Sequence, residues 1–157
     1  MHIKPNINTE ELIEQNNSMK FEYKIEGGDF SHAGYASSQV KKVLKQLNVD
    51  PKVIKRVVVC LYEAEVNVVA HAYNGIIYVD VDTESIELKL VDTGPGIPDI
   101  PLAMQKGYST ASQEVREMGF GAGMGLPNIQ NNADEFKINS EVSVGTTVEI
   151  VVYLNRQ

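Results

Sequence analysis

The sequence has few of the features that mark secreted, membrane-spanning or metal-binding proteins. It contains one cysteine, Cys60, and three widely separated histidines, so we predict neither an internal disulfide nor a Cys/His metal cluster. Its longest aliphatic run, residues 57–61, is far too short to cross a bilayer, and no apolar signal region opens the chain. These absences predict a soluble protein of a reducing compartment, the cytoplasm, with no membrane partner.

Positive charge is also scarce. The chain has 14 basic and 21 acidic residues, which gives a formal net charge of −7, so a nucleic acid is not the expected ligand. At 157 residues and 43% hydrophobic content, the chain has material for one core. We predict a single domain over residues 20–157, preceded by an Asn- and Glu-rich appendage of residues 1–19.

The first half of the chain reads as one strand followed by two helices. Alternating apolar residues after Lys20 predict a half-buried strand. Ser31 is predicted to cap a first helix, and Asp50 with Pro51 to start a longer second one. The pair Asn74–Gly75 is predicted to end that second helix.

The second half reads mainly as strands. Two strands, residues 76–82 and 85–91, are close enough to form a hairpin. After a Gly- and Pro-rich stretch, a helix from Leu126 and strands at 136–140 and 146–154 complete the chain. This order predicts an α+β fold, a two-layer sandwich with helices on one face of a mixed, mostly antiparallel sheet.

The second helix carries polar residues beside its aliphatic stripe. Glu63, Asn67 and His71 recur every four residues and therefore project from nearly the same side. Such a row can face a ligand, although an ordinary solvated helix face would look the same.

A buried strand leads directly to Asp92, and the turn after it contains Gly94 and Gly96. Glycines at such a turn let a flat ligand approach the backbone, and a carboxylate can accept a hydrogen bond from an exocyclic amine. Asp and Gly are also the commonest turn residues, so an ordinary turn is the alternative for this segment alone.

Alternating glycines then run into the predicted helix that begins at Leu126. Backbone N–H groups at a helix start favour phosphate oxygens, so this segment is a candidate phosphate cradle. It has neither the Gly-Lys-Ser/Thr of a Walker A loop nor the spacing of a dinucleotide fingerprint. A lid hinge without a ligand is the alternative. The glycines are Gly119, Gly121, Gly123 and Gly125.

These three segments, in this order, resemble the N, G1 and G2 boxes of the GHKL ATP-binding superfamily. More narrowly, the chain resembles the anti-sigma-factor and switch protein-serine kinases of the RsbW, SpoIIAB and RsbT type, over roughly residues 21–154. The resemblance implies a GHKL (Bergerat) ATPase-like domain that binds ATP and Mg²⁺. The segments that carry it are Glu63–Tyr73, Asp92–Asp99, Gly107–Thr110, Gly121–Pro127 and Gly145–Thr147.

The resemblance also implies a role for individual residues. Asn67 would coordinate Mg²⁺, and Glu63 would be the general base for a substrate hydroxyl. Asp92 would bind the adenine amine, beside Gly94, Gly96 and a contact from Thr146. Phosphates would lie against Gly121, Gly123 and Gly125, with Arg116 as the lid cation. Glu65, two residues after the base, is predicted to point elsewhere.

The implied activity is phosphorylation of a serine on a STAS-domain partner. A sigma factor as a second partner and a homodimer are also consistent with the resemblance. One alternative is a nucleotide-gated protein-binding switch that transfers no phosphate. A remote alternative is a homodimeric aspartic protease, which rests only on Asp92-Thr93-Gly94.

Overall fold

A computed structural model describes residues 18–109, 111, 113 and 124–154. These residues form five strands, four α-helices and one 3-10 turn at Phe30–His32. The strands are β1 Met19–Glu26, β2 Asn74–Val81, β3 Ser85–Thr93, β4 Glu135–Glu141 and β5 Gly145–Tyr153. The helices are α1 Tyr35–Gln46, α2 Pro51–His71, α3 Ile100–Ala103 and α4 Gly125–Asn132.

The strands form a single sheet in the order β1-β2-β3-β5-β4. Each of the four neighbouring pairs is antiparallel, so the described sheet contains no parallel pairing. The predicted α+β sandwich is confirmed, and its sheet is more regular than the mixed one expected.

One face of the sheet is covered by the helices. Inward residues of the central strands, such as Ile77 and Ile86, have no exposed surface, and Val57 and Val68 of α2 pack in the same core. Outward residues of β3, such as Lys89, are exposed. The period-2 pattern of the strands and the aliphatic stripe of α2 therefore meet at one interface.

The predicted start of the first helix is wrong. Ser31 lies in the 3-10 turn, where its hydroxyl donates a hydrogen bond to Asp29 Oδ1 at 2.8 Å. The helix α1 begins at Tyr35 after Gly34, which has a φ of 95°, and Gly34 offers no side chain as a cap. The cap comes instead from Glu65, 31 residues further along the chain.

The predicted start of the second helix is confirmed, whereas its end differs. Asp50 Oδ1 accepts a hydrogen bond from Lys52 N–H at 2.8 Å. The helix α2 ends at His71, and Asn74–Gly75 opens β2 instead of following the helix. A tertiary contact accounts for this earlier end of the helix. Tyr73 N–H donates a hydrogen bond to Thr93 O at 2.8 Å, which joins the end of α2 to the end of β3.

The Gly- and Pro-rich stretch after β3 has structure of its own. It contains the short helix α3, capped by Asp99, whose Oδ1 accepts from Leu102 N–H at 3.1 Å. Asp92 belongs to β3, which continues through Thr93. No helix in the described part of the chain is long and apolar enough to span a membrane.

Candidate functional site

The polar row on α2 faces the start of α4. Glu63 and Asn67 are half-buried, and Gly125 is the first residue of α4. A Cβ placed on Gly125 would lie 3.3 Å from Glu63 Oε2 and 3.3 Å from Asn67 Oδ1. The two side chains thus flank one point at the helix start, as the sequence predicted for the same face of α2. His71, the third residue of the predicted row, is exposed at the end of the helix.

Asn128, in the first turns of α4, holds Glu63. Its side-chain Nδ2 donates a hydrogen bond to Glu63 Oε1 at 3.1 Å. Glu63 Oε2 is the oxygen that lies toward Gly125. The carboxylate therefore has one oxygen held by protein and one directed at the helix start.

The other end of α4 is fixed to α2 by Arg56. The guanidinium donates from Nε to Asn132 O at 2.9 Å, and from Nη2 to Asp134 Oδ1 at 2.9 Å. Asp134 Oδ2 in turn accepts from Tyr153 N–H at 2.8 Å. Because Arg56 and Glu63 are on the same helix, this connection holds α4 in register with the polar face of α2.

Asp92 is anchored by the neighbouring strand β5. Its Oδ1 accepts a hydrogen bond from Thr146 N–H at 2.9 Å. Among the described residues, none donates a hydrogen bond to its Oδ2. Burial raises the pKa of Asp92, and the Thr146 N–H offsets this only in part. One carboxylate oxygen is therefore fixed in direction, which leaves the other available to a ligand.

Ser140 connects this anchor to the turn that follows Asp92. Its hydroxyl accepts from Ile97 N–H at 2.7 Å and lies 2.8 Å from Thr146 Oγ1. It also donates to Gly145 O at 3.2 Å. A single side chain of β4 thus fixes the turn, the start of β5 and the buried Thr146 together.

Packing accounts for the glycines of this turn. A Cβ on Gly94 would lie 3.0 Å from Ala72 Cα, at the end of α2. Gly96 has a φ of 76°, and a Cβ there would lie 2.4 Å from Glu141 O. The turn therefore closes against both α2 and the β4–β5 connection, which requires glycine whatever binds beside it.

Glu65 points away from Glu63, as predicted. It is 2% exposed, and its Oε2 accepts from Gly34 N–H at 3.0 Å and from Ala36 N–H at 3.1 Å. Its Oε1 accepts from Ser37 N–H at 3.2 Å. The carboxylate therefore caps α1 and joins it to α2, which is a structural role.

The cap predicts a specific pH dependence of stability. Burial raises the pKa of Glu65, and its three N–H donors offset this only in part. Between the ordinary and the raised pKa, the folded chain holds a proton on Glu65 that the unfolded chain has lost. The contribution of this proton to stability is therefore fully present below pH 4.5 and is lost as pH rises through the raised pKa. We expect the unfolding free energy of wild type, relative to Glu65→Gln, to fall as pH rises through that window. Urea unfolding at several pH values measures it, and a constant difference would contradict the assignment.

Some predicted site residues lie outside the described part of the chain. They are Arg116, Gly121 and Gly123, so of the predicted phosphate cradle only Gly125 is placed. Within the described residues, no three His, Cys, Asp or Glu side chains form a metal cluster. The oxygens that converge on the start of α4, Glu63 Oε2 and Asn67 Oδ1, are both of the kind that Mg²⁺ takes as ligands.

Two residues of the site have no signal in the sequence. Asn128 and Ser140 are isolated polar residues that no motif or periodicity marks. Each contacts a residue that is distant in the chain, 65 positions away for the Asn128–Glu63 pair and 43 for the Ser140–Ile97 pair.

Comparison with known proteins gives a consistent result. The family described as histidine kinase-like ATPase domain matches residues 29–152. The serine/threonine-protein kinase RsbT of Bacillus subtilis is 31% identical over 118 residues, 73% of this chain and 83% of that protein. An anti-sigma F factor of Caldanaerobacter subterraneus is 30% identical over 149 residues, 92% of this chain and 99% of that protein.

Solved structures show the same fold. The RsbU and RsbW domains of a Mycobacterium tuberculosis protein align with a TM-score of 0.59 at 15% identity, over 88% of this chain and 33% of that one. A chain of the SiaB-SiaC complex from Pseudomonas aeruginosa aligns with a TM-score of 0.58 at 10% identity, over 91% of this chain and 94% of that one. At these identities the likeness concerns the fold alone.

Proposed function

The chain belongs to the histidine kinase-like ATPase domain family, and on that premise we propose that it is an ATP- and Mg²⁺-dependent protein-serine kinase of the anti-sigma type. Its relatives at about 30% identity are anti-sigma F factors and an RsbT serine/threonine-protein kinase. The proposed substrate is a serine on a STAS-domain partner. A sigma factor as a second partner, a homodimeric state and a cytoplasmic location complete the proposal.

Asp92 is the proposed adenine-binding residue. Since Thr146 N–H fixes its Oδ1, its Oδ2 has a defined direction in which to accept a hydrogen bond from the adenine amine. Gly94 and Gly96 place no side chain at two positions of the adjacent turn, and Thr146, which holds Asp92, is buried beside it. The Ser140 contacts support this proposal because they make the pocket rigid before a ligand arrives.

Asn67 is the proposed protein ligand of the metal, and the start of α4 is the proposed phosphate site. When bound, Mg²⁺ would neutralise phosphate charge and hold the phosphates in place. Asn67 supplies a side-chain oxygen within reach of Gly125, where the helix offers backbone N–H groups. Gly121, Gly123 and Arg116 are proposed to extend this site.

Glu63 is the proposed general base. Its Oε2 faces the start of α4, where a serine hydroxyl in line with the terminal phosphate would be placed. Asn128 holds Oε1, so the carboxylate keeps one orientation while Oε2 accepts the hydroxyl proton. This pairing of Glu63 with Asn67 at one helix start is the observation that carries the proposal.

Phosphotransfer to candidate partners tests the function directly. The protein would be incubated with labelled ATP, Mg²⁺ and the STAS-domain proteins encoded beside its gene, and phosphoserine mapped by mass spectrometry. We expect label on one serine of one partner. The nucleotide-gated binding switch becomes the better reading if a partner binds in a nucleotide-dependent way and stays unlabelled. Family membership gives no support to the aspartic-protease alternative.

Nucleotide affinity should depend on Mg²⁺ and on Asn67. Phosphates and an acidic protein repel each other, so we expect ATP and ADP to bind usefully only with the metal. Asn67→Ala should weaken binding in Mg²⁺ by about tenfold or more, which corresponds to ~1.4 kcal/mol. Calorimetry with and without EDTA measures both effects. Equal affinity of wild type in both conditions would refute the metal assignment.

Asn128 should matter for turnover more than for nucleotide binding. The hydrogen bond from Asn128 holds the Glu63 carboxylate in one orientation. We therefore expect Asn128→Ala to lower kcat by about tenfold, with nearly unchanged ATP affinity. Asn128→Asp, which places a second carboxylate beside Glu63, should be slower still. The exposed Asn131 of the same helix is the matched control, since Asn131→Ala should leave kcat unchanged. Equal kcat in wild type and Asn128→Ala would remove Asn128 from the mechanism.

A further inference from the structure

Basic residues are concentrated in one region of this acidic chain. Residues 33–62, which include α1 and the first half of α2, contain five lysines and one arginine against the single acid Asp50. Asp50 caps the start of α2, where its Oδ1 accepts a hydrogen bond from Lys52 N–H. The chain as a whole has 14 basic and 21 acidic residues, so the remainder is strongly negative. A positive region on a negative protein favours a ligand of negative charge.

Three of these lysines line a groove between the second half of α1 and the first half of α2. The groove has a volume of about 590 Å³. Lys41 and Lys45 belong to α1 and Lys55 belongs to α2, so positive charge is present on both walls. All three side chains are exposed, and none of them forms an ion pair within the part of the chain that the structure describes. Their ammonium groups are therefore available to a partner.

Aliphatic side chains also line the groove. Val49 lies in the connection between the two helices, and Val58 and Val59 belong to α2. All three valines are half-buried, so part of each side chain remains accessible. Among the described residues that line the groove, none is acidic. An occupant is therefore stabilised by apolar groups that cover the valines and by negative groups beside the lysines.

The length of the groove favours a helix as its occupant. The lining residues of α2 extend from Pro51 to Val59. Eight residue steps of a helix cover about 12 Å, so about two turns of a second helix fit alongside. An amphipathic helix presents aliphatic residues at i, i+3 or i+4 and i+7 in one stripe, with polar residues beside it. Carboxylates on both sides of such a stripe would face the lysines of both walls.

Other anionic ligands match the groove less well. A nucleic-acid backbone offers phosphates without aliphatic groups. A fatty acid offers an aliphatic chain with a single carboxylate, which leaves the lysines of one wall without a partner. An acidic helix with an aliphatic stripe complements both the valines and the lysines of both walls.

We propose that the groove between α1 and α2 docks an acidic amphipathic helix of a partner protein. Aliphatic side chains of the partner contact the three valines, and its carboxylates pair with the three lysines. None of the residues proposed above for the nucleotide site lines the groove, so the docking can fail while the proposed function stands.

A stapled peptide tests the chemistry of the occupant. The probe is a hydrocarbon-stapled, fluorescein-labelled helix with three leucines in one stripe and glutamates on both sides of it. One control peptide has alanine in place of the leucines, and a second has glutamine in place of the glutamates. Binding to the full chain without nucleotide is measured by fluorescence anisotropy at about 0.15 M salt, which screens long-range attraction. We expect each control peptide to bind at least about tenfold more weakly than the probe.

Charge reversal on the protein tests the location of the site. The groove variant has glutamate in place of all three groove lysines. The control variant has glutamate in place of Lys24, Lys42 and Lys52, which are exposed and do not line the groove, so its net charge is the same. We expect the groove variant to bind the probe at least about tenfold more weakly, and the control variant to stay within about twofold of wild type. A probe with lysine in place of each glutamate should bind the groove variant and not wild type, which also shows that the variant is folded.

The opposite results would overturn the proposal. They are a lack of probe binding to wild type, equal losses in the groove and control variants, or full affinity of the peptide that lacks leucine. Tighter binding to phosphatidylglycerol vesicles than to the probe, lost in the groove variant, would assign the groove to a membrane surface instead. Self-association of wild type in sedimentation experiments, lost in the groove variant, would assign it to a second copy of the chain.

Discussion

Glu63→Gln should abolish most serine phosphorylation while ATP still binds. Glutamine keeps the length of the side chain and a carbonyl oxygen that can accept from Asn128, so the local structure should survive. It cannot take a proton from the substrate hydroxyl. General-base catalysis contributes about 10²–10⁴-fold, and we expect the rate to fall by that order. Initial rates of phosphoserine formation and calorimetric ATP affinity, measured on the same preparations, separate the two effects.

The control for this experiment follows from the structure. Glu65, the nearest carboxylate in sequence, is unsuitable because it caps α1. Glu87 is better, since it is exposed on the outer face of β3, opposite the face that the helices cover. Glu87→Gln removes the same charge and should leave the rate intact. A fully active Glu63→Gln would eliminate Glu63 as the base, and equal losses in both variants would show an unspecific charge effect.

Asp92→Asn should lose its selectivity for adenine. Thr146 N–H requires an acceptor and so orients the carbonyl oxygen of the new amide toward itself. The NH₂ group is then left facing the adenine amine, donor against donor, at a cost of roughly 1–3 kcal/mol. We expect ATP affinity to fall by about 5- to 150-fold, measured by calorimetry in Mg²⁺.

Inosine triphosphate distinguishes this effect from general damage to the pocket. It carries a carbonyl oxygen where adenine has its amine, so the Asp92→Asn amide can donate to it. The variant should therefore lose ATP affinity without a matching loss for inosine triphosphate. Parallel losses for both nucleotides would indicate a distorted pocket, and unchanged ATP affinity would place the adenine site elsewhere.

Local patterns were sufficient for most of the architecture. The alternation in β1 and the aliphatic stripe of α2 depend only on which residues must face a core, so their types could be predicted. The Asp50 cap was equally predictable, because a capping residue and the N–H group it accepts from are two positions apart. The common face of Glu63 and Asn67 follows from helical phase alone.

Boundaries set by distant contacts were not predictable in this way. The sequence predicts the start of α1 too early, because its cap is Glu65, on another helix. The sequence predicts the end of α2 too late, because Tyr73 N–H donates its hydrogen bond to Thr93 O of β3. Ser31 has the chemistry of a helix cap, and Asn74–Gly75 has that of a helix end. In the folded chain Ser31 lies in the 3-10 turn, and Asn74–Gly75 opens β2.

The sequence by itself determined the types of the five strands and of the helices α1, α2 and α4, the polar face of α2 and the presence of an aspartate at the end of β3; the short helix α3 was not predicted. These depend on the period of a strand or helix, which a short window of residues contains. Only the tertiary structure decided that Asn128 holds Glu63, that Ser140 locks the Asp92 turn and that Glu65 caps α1. Those contacts join residues 29 to 65 positions apart, and no local period encodes which side chains meet when helices and sheet pack together.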